Sequence, residues 1–213
     1  MKEVTAMSNK SNYELIETTN IFERFVHWAL AISCILLFIS GFGLMFQSLN
    51  WIGTLIGGTG SLVVLHNWSS PVFAASGLLA FIIWFKEGAL MTADDIKWIC
   101  KGGGYLWLKN GVPESGRFNG GQKIFYFIMV ATCILMSITG YIMIYPFDFA
   151  KSTVVMAYPL HIIGVMTFGG TWIIHAFLGT FANPGTLEAM LSGKCTRAWA
   201  KLQHGKWLKE IEK

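Results

Sequence analysis

The chain is dominated by four apolar segments, each long enough to cross a lipid bilayer. They cover residues 25–46, 62–85, 124–145 and 153–181, and a transmembrane helix needs about 20 mostly apolar residues. Only 13% of the 213 residues are charged, whereas soluble domains carry about 25%. We therefore expect an all-α fold, a bundle of four transmembrane helices, rather than a soluble domain.

Basic residues predict the orientation of these spans. Of the 16 lysines and arginines, only Lys151 lies in the connection between the third and fourth spans, and none lies between the first and second. The positive-inside rule places the basic segments in the cytoplasm. The prediction is a cytoplasmic N-terminal segment (residues 1–24), a membrane domain (25–181) and a cytoplasmic C-terminal tail (182–213), so that both termini are cytoplasmic.

Short helices are expected on the cytoplasmic surface. Thr92 precedes two acidic residues and an apolar stretch, which is typical of a capped helix start, and three glycines (102–104) end that helix. A tail helix is expected to begin near Pro184 and to carry Trp199 and Trp207 among basic residues. It would either anchor the tail at the membrane surface or dock on a partner subunit.

Four of the five histidines lie inside the apolar segments, where an unsatisfied polar group is costly. His161 and His175 are fourteen residues apart on the fourth span. In a helix, residues fourteen positions apart are roughly 21 Å apart along the axis, and their side chains point within about 40° of the same direction. With the predicted orientation, His66 and His161 lie toward the outer face, and His27 and His175 lie toward the cytoplasm.

Two histidines at each of two depths are suitable axial ligands for two haem groups stacked across the membrane. A lone membrane histidine is more often a hydrogen-bonded contact or a member of a proton relay, so it is the pairing by depth that favours haem. Zinc is disfavoured because no cysteine or carboxylate lies nearby to complete a tetrahedral site. The remaining histidine, His204, is expected to be a solvated residue of the basic tail.

Any haem in this chain would be of the non-covalent b type. The four cysteines (Cys34, Cys100, Cys133 and Cys195) form no CxxC pair and no CxxCH attachment motif. Small residues near the histidine levels, among them Gly41, would leave flat space for a porphyrin. A haem with two histidine ligands has no open iron position, so its natural task is one-electron transfer.

An electron acceptor is needed at the inner end, and a membrane quinone is the obvious one. Asn119 and Gln122 enter the third span on the inner side, and both can hydrogen-bond a quinone carbonyl. Gly120 and Gly121 would let a ligand approach the backbone. The alternative is an ordinary polar helix start, which is the interpretation that chemistry alone favours.

Several motifs resemble a known family, the gamma subunits (cytochrome b556 subunits) of respiratory formate dehydrogenases, which are dihaem membrane cytochromes b. The matching residues are Arg24 to Trp28, Leu65 and His66, Phe118 to Lys123, Leu160 and His161, Ile174 and His175, and in the tail Gly193, Lys194, Trp199 to Lys201, His204 and Glu210 to Lys213. The resemblance extends from about residue 20 to the C-terminus.

The resemblance implies more than the residues do by themselves. Family members take electrons from an iron–sulfur subunit, which receives them from a molybdenum or tungsten catalytic subunit, and pass them to menaquinone. His66 and His161 match the ligands of the outer haem b, His27 and His175 those of the inner haem b, and Asn119 the quinone-site residue. The implied location is the bacterial inner membrane, with formate oxidation in a partner subunit and assembly as a trimer of heterotrimers.

Two features depart from the family pattern. Residues 1–20 form an extension with no assigned role, and Asn67 follows His66 where proline is more common. The open alternatives are the cytochrome b subunit of a membrane-bound NiFe hydrogenase or of another molybdoenzyme, and a haem-free, histidine-using proton channel or transporter. The expected partners are protein subunits, lipid and quinone, not nucleic acid.

Overall fold

The computed structural model describes residues 13–104 and 111–213, and most of these residues are helical. The helices in chain order are α1 (Ile21–Met45), α2 (Trp51–Leu55), α3 (Thr59–Ile83), α4 (Phe85–Ala89), α5 (Ala93–Cys100), α6 (Gly120–Ile144), α7 (Lys151–Phe177), α8 (Thr186–Leu191), α9 (Arg197–Gln203) and α10 (Gly205–Ile211). Single 3₁₀ turns occupy Gln47–Leu49, Gly102–Gly104 and Pro146–Asp148, and a π-helical turn, Leu178–Ala182, follows α7.

Helices α1, α3, α6 and α7 are each long and apolar enough to cross a membrane. The expectation of an all-α architecture with four spanning helices is confirmed.

Two of these helices begin about four residues before their apolar segments because polar boxes cap their first turns. Asn20 and Glu23 exchange side-chain to backbone hydrogen bonds of 2.8 and 2.9 Å at α1, and Asn119 and Gln122 do the same at α6. Hydropathy marks only the apolar middle of such a helix.

The short helix predicted after Thr92 is present as α5. Thr92 and Asp95 form a capping box, in which the Thr92 hydroxyl accepts from the Asp95 amide and the Asp95 carboxylate accepts from the Thr92 amide. Gly103, with a φ of 61°, follows the helix in a conformation that favours glycine. The glycine stop predicted from the sequence is therefore confirmed.

The C-terminal tail is not the single helix expected from Pro184 onward. It consists of three short helices, α8, α9 and α10, with a short strand between the first two. Gly185 and Gly193 have φ values of 94° and 80°, so the chain changes direction before α8 and again before the strand.

A two-stranded antiparallel sheet was not anticipated from the sequence. Strand β1 (Leu15–Glu17) pairs with β2 (Lys194–Thr196), with Leu15 opposite Thr196. Part of the extension that had no assigned role thus pairs with the C-terminal tail.

The chain divides into two compact units. The helical unit comprises Phe25–Ile82 and Ile128–Thr171, and the terminal unit comprises the described parts of Met1–Arg24, Ile83–Phe127 and Trp172–Lys213. His27, His66 and His161 belong to the helical unit, and His175 belongs to the terminal unit.

The helical unit packs its helices through small residues and stacked rings. A Cβ at Gly77 would lie 2.9 Å from Cys133 Sγ, and one at Gly164 would lie 2.8 Å from Met136 Sδ, so both glycines let the helices approach closely. Phe168 stacks on Phe38 and makes an edge-to-face contact with Phe73. Leu62, Val26 and Ser40 are fully buried in this unit.

The terminal unit combines a small apolar core with hydrogen bonds between distant segments. Cys195, Ala200 and Leu208 are buried, with Ile16, Trp199 and Trp207 packed against them. The Thr18 amide and hydroxyl both donate to the Gly193 carbonyl, at 2.8 and 3.1 Å. The sheet and these bonds join the segment before α1 to the tail.

Candidate functional site

The helical unit brings His66 on α3 and His161 on α7 close together. Their ring centroids are 6.4 Å apart and their planes are inclined by 59°. These are the two histidines that the sequence predicted to share the outer level of the membrane. They lie 95 positions apart in the chain, so their meeting is a property of the tertiary fold.

A hydroxyl group holds each of these two rings. Ser40 Oγ on α1 lies 2.9 Å from His66 Nδ1, and Thr139 Oγ1 on α6 lies 2.8 Å from His161 Nδ1. Each hydroxyl also donates to a carbonyl of its own helix, Ser40 to Leu36 at 2.6 Å and Thr139 to Leu135 at 2.7 Å.

The direction of these hydrogen bonds follows from counting protons. A hydroxyl has one proton to donate, and here that proton goes to the helix carbonyl. Ser40 and Thr139 must then accept from the rings, so each Nδ1 carries a hydrogen. A neutral imidazole protonated at Nδ1 leaves Nε2 with a free lone pair, which is the form a metal ligand requires.

A glycine next to each hydroxyl leaves room for the imidazole. A Cβ at Gly41 would lie 3.3 Å from His66 Cε1, and one at Gly140 would lie 3.6 Å from His161 Cε1. The sequence interpretation had reserved the space beside Gly41 for a porphyrin. The His66 ring lies beside this glycine, and a porphyrin contact at Gly41 stays a prediction.

Sequence reasoning missed Thr139 and Gly140 as parts of this site, and it noted Ser40 only as a small residue beside Gly41, not as a partner of His66. A signal was present, because α1 contains Ile-Ser-Gly ending at Gly41 and α6 contains Ile-Thr-Gly ending at Gly140. Each tripeptide faces a histidine on another helix. The site is therefore built twice from the same short pattern.

The residues of this site fit a haem with two histidine ligands. Two histidine nitrogens that bind one metal from opposite sides at about 2 Å each lie about 4 Å apart, and rings with centroids 6.4 Å apart can present their nitrogens at that separation. Within residues 13–104 and 111–213, no group of three or more His, Cys, Asp or Glu side chains could hold a metal ion without such a cofactor.

The two histidines predicted for the inner level lie in different units. His27 makes an edge-to-face contact with Trp28 at a centroid distance of 5.3 Å. His175 stacks nearly parallel on Phe125, with centroids 4.2 Å apart and planes 9° apart. Pairing of these two histidines on one haem stays a prediction.

The Asn119 and Gln122 side chains form the capping box of α6. The Gln122 side-chain oxygen Oε1 accepts from the backbone N–H of Asn119 at 2.8 Å. The Asn119 side-chain oxygen Oδ1 accepts from the backbone N–H of Gln122 at 2.9 Å. Both side-chain NH₂ groups are left as donors, which is the group a quinone carbonyl needs. Phe125, the stacking partner of His175, follows Gln122 by one turn of the same helix.

The glycines between Asn119 and Gln122 serve helix packing. A Cβ at Gly120 would lie 2.7 Å from the Asp95 carbonyl oxygen, and one at Gly121 would lie 3.1 Å from the Trp98 ring. The backbone that the sequence interpretation left open to a ligand is thus covered by α5.

Ion pairs surround this end of α6. Lys123 Nζ lies 2.6 Å from Asp95 Oδ2 and donates to the Leu90 carbonyl at 2.8 Å. Burial alone raises the pKa of Asp95, but hydrogen bonds from Lys123 and Thr92 outweigh it and hold that pKa below its usual value.

Arg117 makes the second set of charged contacts, to Glu23 at 2.6 Å and to Glu87 at 3.5 Å. Lys123 and Arg117 both line a polar cavity of about 240 Å³ in the terminal unit.

The prediction for His204 was wrong. Its side chain is 5% exposed, its Nδ1 hydrogen-bonds the Gly116 carbonyl at 2.8 Å, and its ring lies 5.0 Å from that of Trp199. Burial lowers the pKa of His204 and outweighs the opposing effect of the Gly116 bond. A basic tail indicated solvent exposure, but the residue lies at the junction of α9 and α10, where it packs inward.

Comparison with known proteins gives a match across most of the chain. The sequence pattern of the family described as prokaryotic cytochrome b561 matches residues 18–193. The formate dehydrogenase cytochrome b556(fdo) subunit of Escherichia coli K12 is 29% identical over 90% of this chain and 90% of its own length.

Two further relatives carry similar names. The nitrate-inducible formate dehydrogenase cytochrome b556(Fdn) subunit of Escherichia coli K12 is 27% identical over 95% of this chain and 94% of its own length. The formate dehydrogenase cytochrome b556 subunit of Haemophilus influenzae is 24% identical over 88% of this chain and 79% of its own length. The family resemblance expected from the motifs is confirmed. With this match and four spanning helices, the chain belongs to the prokaryotic cytochrome b561 family, whose members carry haem b, and is a multi-pass protein of the bacterial inner membrane.

Proposed function

We propose that this chain is the electron-carrying membrane subunit of a respiratory formate dehydrogenase, with two haem b groups and menaquinone as its acceptor. His66 and His161 are the ligands assigned to an outer haem, and His27 and His175 those assigned to an inner haem. Electrons would enter from an iron–sulfur subunit on the outer side, supplied by a molybdenum or tungsten catalytic subunit. Formate oxidation belongs to that catalytic partner.

The observation that carries this proposal is the His66–His161 pair, with ring centroids 6.4 Å apart. Each ring is held at Nδ1 by a hydroxyl, so both Nε2 atoms are available to one metal. A haem b held by His66 and His161 would supply one-electron transfer. The names of the three relatives support formate dehydrogenase as the complex.

The menaquinone assignment rests on the N-terminus of α6. Asn119 and Gln122 keep their NH₂ groups as donors while their oxygens cap the helix. Phe125, one turn further along, stacks on His175. A quinone bound by these amides would therefore lie close to a ligand of the inner haem. Side chains lining the polar cavity, Lys123 and Arg117 among them, lie at the same end of α6.

The proposal is tested by counting haems in the purified complex. A reduced-minus-oxidised spectrum with a b-type band and two haems per chain is expected. His66→Ala and His27→Ala should each retain one haem, and His204→Gln, which keeps a hydrogen-bond donor toward Gly116, should retain two. If either ligand variant keeps both haems, the ligand assignment is wrong.

Two alternatives give different results in the same preparation. A NiFe hydrogenase subunit would co-purify with nickel, whereas a formate dehydrogenase subunit should co-purify with molybdenum or tungsten. A haem-free proton channel or transporter would be colourless. Metal analysis and the spectrum together therefore separate all three.

We also propose cytoplasmic N- and C-termini, on the basis of the positive-inside pattern. A C-terminal alkaline phosphatase fusion should be inactive, because that enzyme folds only where disulfides form. A fusion placed after Met45, at the end of α1, should be active. The reverse result would invert the proposed topology.

A further inference from the structure

Two hydroxyl groups in the helical unit occupy equivalent positions. Ser40 on α1 and Thr139 on α6 each follow an isoleucine, precede a glycine and hydrogen-bond the Nδ1 atom of a histidine on another helix. Both are deeply buried, with 0% and 3% of their surfaces exposed. The repetition on two helices indicates a common task.

We propose that Ser40 and Thr139 are positioning residues for the outer haem, an inference that rests on the proposed function. Each fixes its histidine in the form with hydrogen on Nδ1 and thereby sets the orientation and the basicity of the Nε2 ligand. The two hydroxyls thus tune the midpoint potential of that haem and leave the other haem unaffected.

The chemistry of the hydroxyl explains the direction of the effect. A hydrogen bond accepted from Nδ1–H makes the imidazole a stronger electron donor through Nε2, which favours the oxidised iron. The hydroxyl is strengthened as an acceptor because its own proton is engaged by a helix carbonyl. It does this without placing a charge in the membrane, which a carboxylate in the same place would do.

The same helices contain matched hydroxyls that lack this contact. Ser33 lies seven residues before Ser40 and donates to the Ala29 carbonyl at 2.7 Å. Thr132 lies seven residues before Thr139 and donates to the Ile128 carbonyl at 2.6 Å. Neither forms a hydrogen bond to a histidine in the described part of the chain. Bonding back to the helix is therefore common here, and the bond to histidine distinguishes Ser40 and Thr139.

The test is a potentiometric titration of the purified complex, followed at the b-type absorption band. Ser40→Ala and Thr139→Val should each move the midpoint potential of one haem upward. The double variant should move the same haem further. Ser33→Ala and Thr132→Val should leave both potentials unchanged, and Thr139→Ser should restore the wild-type value.

Haem content provides the second measurement. Loss of a partner that orients a ligand lowers metal affinity by about 10–100-fold, so retention of the outer haem during dilution should fall in Ser40→Ala and Thr139→Val only. Thr139→Ser should rescue it.

Unchanged potentials in Ser40→Ala and Thr139→Val with both haems bound would overturn the inference, as would equal shifts in the two control variants. A wild-type complex without haem would instead overturn the proposed function, so the two failures can be told apart.

Discussion

The two units bury different kinds of polar group. In the helical unit the buried polar side chains are all hydroxyls: Ser33, Ser40, Ser69, Ser76, Thr132 and Thr139. In the terminal unit they include, besides the hydroxyl of Ser115, full charges and larger polar groups: Glu23, Asp95, Asn119, Lys123 and His204.

The difference follows the solvent that each unit must tolerate. A hydroxyl can satisfy its proton on its own helix, as Ser40 and Thr139 do, and adds no charge to the hydrocarbon region. Charges such as Lys123 and Asp95 require partners with good geometry. The helical unit is thus suited to hold fixed ligands, and the terminal unit carries the titratable groups that a proton-consuming reaction would use.

The largest effect is expected from breaking the Lys123–Asp95 pair. Lys123→Met leaves the Asp95 carboxylate buried without its cation, and such losses cost about 3–5 kcal/mol. The melting temperature of the purified complex, followed by circular dichroism, should fall markedly. Lys123→Met combined with Asp95→Asn should recover part of the loss, because no charge is left unpaired.

The matched control is Lys209→Met. Lys209 pairs with Glu114 at the same 2.6 Å, but these side chains are 67% and 55% exposed. Exposed pairs contribute about 0–1 kcal/mol, so the melting temperature should hardly change. Equal effects of Lys123→Met and Lys209→Met would show that burial does not distinguish the two pairs.

The glycines beside the outer histidines should respond differently to a methyl group. A Cβ at Gly41 would come within 3.3 Å of His66 Cε1, so the ring must shift in Gly41→Ala, at a cost of about 1–3 kcal/mol. A Cβ at Gly140 would make an ordinary contact of 3.6 Å with His161.

Haem retention and the melting temperature should both be measured for the Gly41→Ala and Gly140→Ala variants. Gly41→Ala should weaken retention of one haem. Gly140→Ala should retain both and gain up to about 1 kcal/mol from the helix preference of alanine. If Gly140→Ala loses haem as readily as Gly41→Ala, the tighter approach at His66 has no consequence.

The aromatic contact of His175 should have a smaller effect, confined to the proposed inner haem. Phe125→Leu removes a stacked ring worth about 0.5–1.5 kcal/mol and with it one of the contacts that orient His175. The electron paramagnetic resonance signal of one ferric haem should change. Phe127→Leu, at a side chain that is 44% exposed, should leave both signals as in the wild type. A change in the signal assigned to the outer haem would contradict the assignment of His175 to the proposed inner haem.

Those features of the architecture that depend on local composition could be predicted from the sequence. Hydropathy found all four spans, and the positions of His66 and His161 near the starts of two spans that run in the same direction predicted their common depth. The contacts of Ser40 and Thr139 depend on the rotation of two helices about their axes, which hydropathy does not report. The strand Leu15–Glu17 is only three residues long, and its partner strand lies near the other end of the chain. No local sequence pattern therefore predicts this pairing.

The prediction for His204 failed for a related reason. Nearby lysines indicated a solvated tail, yet the ring is enclosed by Trp199 and the Gly116 carbonyl. Nearby lysines indicate that the segment as a whole is exposed to solvent. Whether one residue in it is buried depends on how α9 and α10 pack against each other. The same limitation applied to Gly120 and Gly121. The sequence suggested that their backbone was open to a ligand, but α5 packs against it.

The smallest effect is a pH dependence of the terminal unit. Because burial lowers the pKa of His204, the unfolded chain binds a proton there more readily than the folded chain, with an unfolded pKa of about 6.5. The stabilisation is complete above that pH and is lost as the pH falls toward the folded pKa. Between pH 7 and pH 5 the melting temperature should therefore decline, and His204→Gln should decline less. Asp95 does not compete in this window, since its unfolded pKa is already 3.8 and its folded pKa is lower. A His204→Gln complex with the same slope as the wild type would place the titrating group elsewhere.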